Sequence, residues 1–157
     1  MNFVRYADDF VIYCKSRKAA ERVKSNITKY ITVKLKLKVN EDKSAISRPW
    51  LRKYLGFTFI SMCGQTKVRI HKKSIVRFKN RIKELTKRNS GKSIHRIIRE
   101  LNQYIKGWWA YYHITEARHI FKSLNNWIFR RLRCIIWKQW KNPRTKIRNL
   151  IKRGIPF

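Results

Sequence analysis

Two carboxylates stand side by side at Asp8 and Asp9 in a chain with only 8 acidic residues against 40 Lys and Arg. Surrounding positive charge does not by itself require them to be adjacent. Phe3 to Arg5 and Phe10 to Tyr13 are short β-prone runs on either side of Ala7-Asp8-Asp9, the pattern of a hairpin with the acids at its turn. Carboxylates raised at such a turn can take a hard divalent cation, with Mg2+ the natural choice. In phosphoryl transfer two such ions, about 3.5–4 Å apart, activate an attacking 3′-hydroxyl and steady the leaving pyrophosphate. The plain alternative is local: Asp tolerates turn backbone and bonds to it, so Asp-Asp is also good turn chemistry.

The second constellation is basic and aromatic. A formal charge of +32 exceeds what solubility needs and calls for a polyanionic partner, nucleic acid before all. A membrane surface is the competing polyanion, yet no apolar run approaches the roughly 20 residues of a bilayer span, and the N-terminus does not read as a signal peptide. Residues 1–72 hold 17 Lys and Arg with 5 acids, and residues 73–157 hold 23 with 3. Five of the six tryptophans, Trp108, Trp109, Trp127, Trp137 and Trp140, lie in that more basic part. Arg130, Arg131 and Arg133 on one helix, followed by Lys138 and Lys141 around Trp137 and Trp140, are candidates for phosphate contact, since arginine pairs bidentately with phosphate. Trp108, Trp109, Tyr111 and Tyr112 divide between core packing and base stacking; core is expected for Trp108 and Tyr111, nucleic-acid contact for Trp109 and Tyr112. Cys14, Cys63 and Cys134 lack Cys-x-x-Cys spacing and read as reduced, buried small hydrophobes. The histidines show no zinc-ligand spacing, so no structural metal is expected.

These groups need elements to hold them. From about Lys18 to Thr32, apolar residues at spacings of three and four describe a helix with Ser16 as its cap. Leu35, Leu37 and Val39 alternate with lysines, which predicts a strand. Tyr54 to Ile60 and Lys67 to Ile70 predict a hairpin turning at Gly64, so the first part reads as a β-α-β-β sheet fragment. After Lys73 the pattern is helical: a stripe of Ile75, Phe78, Ile82 and Leu85; another of Ile94, Ile97, Ile98, Leu101 and Ile105 behind a Ser93 cap; a long helix from near Thr115 to about Trp140; and a short one after Pro143. The fold class is α+β, with a first domain at 1–72 and a helical second domain at 73–157.

Phe3-Val4-Arg5-Tyr6-Ala7-Asp8-Asp9-Phe10-Val11-Ile12 resembles the fifth block of reverse transcriptases in its group II intron form, where a Tyr-Ala-Asp-Asp turn sits in the polymerase palm. Leu37-Lys38-Val39-Asn40-Glu41-Asp42-Lys43-Ser44 resembles the next palm block, typically Leu-x-Leu-Asn-x-x-Lys-Thr. Tyr54-Leu55-Gly56-Phe57 resembles the block that closes the palm, a hairpin gripping the primer strand. Leu101-Asn102-Gln103-Tyr104-Ile105-Lys106-Gly107-Trp108-Trp109-Ala110-Tyr111-Tyr112 resembles the signature of the maturase domain, which is also the polymerase thumb, with Gly107 placed to let chains approach.

The resemblance to group II intron reverse transcriptase/maturases implies a palm end followed by a thumb. It implies Asp8 and Asp9 as catalytic metal ligands for Mg2+, and Tyr6, Ala7, Lys43, Leu55 and Gly56 near primer or nucleotide. It also implies group II intron RNA as partner, a template-primer in the whole enzyme, no membrane, and a cytoplasmic site, bacterial or an organellar matrix. Lys43 is otherwise one more solvated lysine. Polymerase chemistry in the family takes a further aspartate from an upstream palm strand, and only five residues precede Tyr6, so the chain alone is not expected to polymerise. It is expected to act either as an RNA-clamping maturase or as half of a split enzyme completed by an N-terminal fingers-palm piece. An unrelated basic RNA-binding protein of ribosomal type is the third reading.

Overall fold

The computed structural model describes residues 2–41, 44–62 and 64–155, with Met62 described by its backbone. It is an α+β chain whose residues group into two compact units, 1–55 and 56–157. In the first unit, β1 (Asn2–Tyr6) and β2 (Asp9–Tyr13) pair antiparallel, with Tyr6 opposite Asp9 and the two-residue turn Ala7-Asp8 between them. Ala7 takes a left-handed φ of 49°, a conformation that turns favour in glycine, and its carbonyl accepts from Arg5 Nε at 3.0 Å. Both faces of the hairpin carry apolar side chains, and Phe3, Val4, Tyr6 and Phe10 are all exposed.

Helix α1 (Arg17–Lys29) starts where Ser16 Oγ accepts from Ala19 N at 3.2 Å, so the serine cap read from the sequence is present. The helix then widens into a π turn over Tyr30–Lys34, closed by Leu35 N donating to the Tyr30 carbonyl. Thr32 Oγ1 donates to the carbonyls of Thr28 and Lys29, competing for acceptors that the backbone would otherwise use, and this loosens the regular ladder.

The strand expected at Leu35 to Val39 is absent. The chain leaves the π turn through Lys36 at φ 52° and runs on irregularly, with Leu35 and Leu37 exposed. Alternation of Leu and Lys is the sign of a half-buried strand, but a strand needs a partner ladder, and none among the described residues pairs with this segment. The two hairpins are separate two-stranded sheets, which replaces the expected β-α-β-β sheet.

In the second unit, β3 (Phe57–Met62) and β4 (Gln65–Ile70) form the hairpin read from the sequence, with Phe57 opposite Ile70 and a turn at Gly64. Four helices follow: α2 (Lys72–Leu85), α3 (Ile94–Tyr112), α4 (Arg118–Gln139) and α5 (Pro143–Ile151). Ser93 caps α3 as expected, and His71 Nδ1 accepts from Lys73 N at the start of α2. The 3.6-residue stripes meet in one core of Phe78, Ile82, Ile97, Leu101, Leu124, Ile128 and Ile135. A smaller cluster of Ile70, Tyr112 and Ala117 joins β4 to the junction of α3 and α4. Helix α3 continues seven residues beyond Ile105, straight through Gly107, around which a side chain would meet nothing within 4 Å. The close chain approach expected at Gly107 is therefore not made.

Cys134 is exposed and Cys14 partly so, contrary to the expectation of buried thiols; Cys63 lies outside the described residues. Among the described residues no helix is long and apolar enough to cross a membrane.

Candidate RNA-binding surface and carboxylate turn

Asp8 sits in the β1–β2 turn and Asp9 opens β2; both are solvent-exposed, and among the described residues neither carboxylate has an ion pair or hydrogen bond. Oxygen donors on neighbouring turn residues suit a hard cation in kind. Mg2+ is commonly held by one or two carboxylates with waters and substrate phosphates; among the described residues no three His, Cys, Asp or Glu gather in one place. Tyr6 and Ala7 frame the turn, Tyr6 exposed and Ala7 in its left-handed conformation. Lys43 lies outside the described residues.

Leu55 and Gly56 both have positive φ, 49° and 86°. The Gly56 carbonyl accepts from Ser74 Oγ and from His71 N, each at 3.0 Å. A Cβ on Gly56 would collide with the Tyr112 hydroxyl and press on Ser74 Oγ. Glycine is therefore required here by internal packing: the hydroxyl of a core tyrosine fills the space that any side chain would take.

The aromatic cluster sorts differently from the sequence reading. Trp108 is a core residue, as expected, lying 4.3 Å from the Phe78 ring and 4.6 Å from Tyr112. Tyr112 is only 9% exposed and packs on Phe57 and Tyr111, leaving no open ring face for a base, so packing replaces the RNA contact expected of it. Tyr111, expected in the core, is half exposed while stacking on Phe57 at 5.3 Å. Trp109 is 53% exposed, backed by a parallel His113 ring at 5.5 Å, and keeps accessible aromatic surface. Helical spacing carried this in part: Ile97, Leu101, Trp108 and Tyr112 lie along one side of α3, but Tyr111 falls at the stripe's other border.

The three arginines of α4 do not form one patch. Arg131 follows Leu124 by seven residues, which puts it beside the buried stripe, and it is half-buried. Its Nε donates to Thr86 Oγ1 at 2.7 Å and its Nη2 to the Thr86 carbonyl at 3.3 Å. Thr86, fully buried, in turn donates Oγ1–H to the Ile82 carbonyl. Arg131 thereby caps the C-terminus of α2, where carbonyls lack helical partners and a cation is favoured. Trp127 adds a ring face 5.4 Å from the guanidinium carbon. Arg130 and Arg133, three residues apart, face the other way, exposed and without an ion pair or hydrogen bond among the described residues. Trp137 follows Arg130 by seven residues, is half exposed, and carries Lys146 of α5 over its ring at 4.7 Å. Lys138 Nζ donates to Asn89 Oδ1, and Lys141 is exposed just past α4.

Charge in this unit is almost unopposed. Residues 56–157 hold 26 Lys and Arg against three acids, all of them paired: Glu84 with Arg81, Glu116 with Lys67, and Glu100 with both Lys92 and Arg96. Four cations are thus neutralised and 22 are not. Hydrogen bonds from Lys92 and then Arg96 hold the Glu100 carboxyl below the usual carboxylate range, and the Lys67 hydrogen bond does the same for Glu116. Lys83, Lys87 and Arg88, none singled out in the sequence, line a recess with Arg131 and Lys138. Lys87 and Arg88 follow α2 directly, and a basic stretch at a helix end was the one signal that could have found them.

Comparison with known families matches residues 75–154, just over half the chain, to the group II intron maturase-specific domain. Residues 1–59 match the reverse transcriptase (RNA-dependent DNA polymerase) family. Comparison with curated proteins gives no match. Both domain matches imply RNA as the partner class. With the ordered palm and maturase motifs on a hairpin and a basic helical unit, the chain belongs to the group II intron maturase family, a maturase of intron splicing derived from a reverse transcriptase.

Proposed function

We propose that residues 56–157 clamp folded group II intron RNA through phosphate contacts, and that the outer face of α4, with Arg130, Arg133 and Trp137, is a principal part of the interface. The observation that carries this is the 22 cations without a carboxylate partner in a unit whose three acids are all neutralised internally. Folded RNA is read largely by shape, phosphates and 2′-hydroxyls, with unstacked bases caught on aromatic surfaces, and Trp109 and Trp137 offer such surface. Filter binding to intron RNA across a salt series should show log affinity falling linearly with log salt. Unchanged affinity in the Arg130→Ala/Arg133→Ala double variant would remove the α4 face from the interface.

Asp8 and Asp9 in this reading are two ligands of a Mg2+ site that another carboxylate must complete. The support is their adjacency at an exposed turn and the lack of a third donor beside them among the described residues. Primer extension with magnesium should be absent for this chain alone. Activity that arises on adding a fingers-palm piece, and is lost in Asp8→Ala, would establish a split enzyme; activity of the chain alone would refute the incompleteness of the site.

A further inference from the structure

The basic loop between α2 and α3 is tied down against α4. Arg131 bonds Thr86, Lys138 bonds Asn89 Oδ1, and Gln139 Nε2 donates to the Lys92 carbonyl at 3.1 Å, so three residues of one helix hold the segment from 86 to 92. Between loop and helix lies a recess of about 640 Å3 lined by Lys83, Lys87, Arg88, Asn89, Arg131 and Lys138. Five of those six residues are cations, and no carboxylate lines the recess; the nearest acid in sequence, Glu84, is paired with Arg81. Bringing like charges together costs Coulomb energy unless a counter-anion enters. The fold nevertheless ties the loop to α4 by hydrogen bonds at Thr86, Asn89 and Lys92.

Resting on the RNA-binding reading above, we propose that this recess is a preformed seat for consecutive phosphates of the RNA backbone. Arg131 is its fixed wall: Nε and Nη2 are used internally, whereas Nη1 has no partner among the described residues and remains to donate. Lys83, Lys87 and Arg88 are exposed and form the adjustable wall, while Asn89 orients Lys138. The volume lies within the roughly 300–1,000 Å3 typical of ligand pockets, which exceeds the needs of a single phosphate and suits a short stretch of phosphodiester. The site is distinct from the Arg130 and Arg133 face, so α4 contacts RNA on two sides.

The test compares the full chain with the triple variant Lys83→Ala/Lys87→Ala/Arg88→Ala and with a charge-matched control, Arg99→Ala/Lys106→Ala/Lys122→Ala, whose side chains are also exposed. Binding to intron RNA is measured across a salt series. The recess variant should lose roughly 10- to 100-fold in affinity near 0.15 M salt, with the salt slope reduced by about 2–3, as expected for three lost phosphate contacts. The control should lose no more than a few-fold. Equal losses in both variants would mean diffuse attraction and overturn the recess while sparing the RNA-binding reading. Failure of the unmutated chain to bind RNA in a salt-dependent way would overturn both. Replacing chloride by phosphate at constant ionic strength separates the sources of the anion: a pocket for one free phosphate would be filled and RNA displaced at millimolar phosphate, refuting the proposal, whereas a seat for a run of phosphates should respond little.

Discussion

Arg131 and its neighbour Arg130 should respond to alanine in opposite ways. Arg131→Ala removes a charge-assisted hydrogen bond of 2.7 Å to the buried Thr86 hydroxyl and a weaker one to the Thr86 carbonyl at the end of α2. Hydrogen bonds to charged groups contribute about 1.5–3 kcal/mol. The Trp127 ring at 5.4 Å adds about 0.5 kcal/mol at a half-buried site. The loss is therefore about 2–3 kcal/mol, which lowers Tm by roughly 10 °C in a unit of this size. Arg130→Ala touches no such network and should stay within about 0.5 kcal/mol while weakening RNA binding. Thermal and urea melts followed by circular dichroism measure both variants, with Arg131→Lys as a third that keeps charge but lacks the planar fork and should recover less than half of the loss. If Arg131→Ala melts with the parent chain and with Arg130→Ala, the cap at Thr86 contributes nothing and the structural role assigned to Arg131 is wrong.

Gly107→Ala should stabilise the chain by about 0.5–1 kcal/mol, read as a higher urea midpoint, because the glycine sits inside α3 with open space around it. Gly56→Ala should destabilise by about 2–4 kcal/mol, from a strained φ of 86° and the collision with Tyr112; adding Tyr112→Phe should recover part of that, and a strictly additive double variant would contradict the packing account. Because the folded-state pKa of Glu100 is lowered by Lys92 and Arg96, the stability it contributes is present above the usual carboxylate range and is lost as pH falls through the lowered value. Glu100→Gln should accordingly reduce Tm at neutral pH and flatten its fall in acid; an unchanged acid limb would refute this.

What was legible in the sequence followed from period. The stripes at Ile75, Phe78, Ile82 and Leu85 and at Ile97 and Leu101 became the faces of α2 and α3 because burial of one helix side imposes their spacing. The Ser16 and Ser93 caps and a hairpin turn around Ala7-Asp8-Asp9 were readable because each depends on a few consecutive residues, although Asp9 belongs to β2 and not to the turn. Leu35 to Val39 misled for the opposite reason: alternation describes a strand's faces but says nothing of whether a partner strand exists. Tyr111 and Tyr112 were ranked in the wrong order because both border the α3 stripe, and the burial of Tyr112 comes from Trp108, Ile70 and Ala117, contacts that its spacing does not show. Arg131 looked like its neighbours until Thr86, 45 residues away in sequence, took up its guanidinium.

The central claim is that unopposed charge in residues 56–157 grips the phosphates of intron RNA. It is tested most directly by the affinity of the full chain for folded group II intron RNA as a function of salt. A linear fall of log affinity with log salt, steep enough for six or more phosphate contacts at about 0.7–0.9 per contact, is the predicted result. Affinity that is flat across the same series would contradict it.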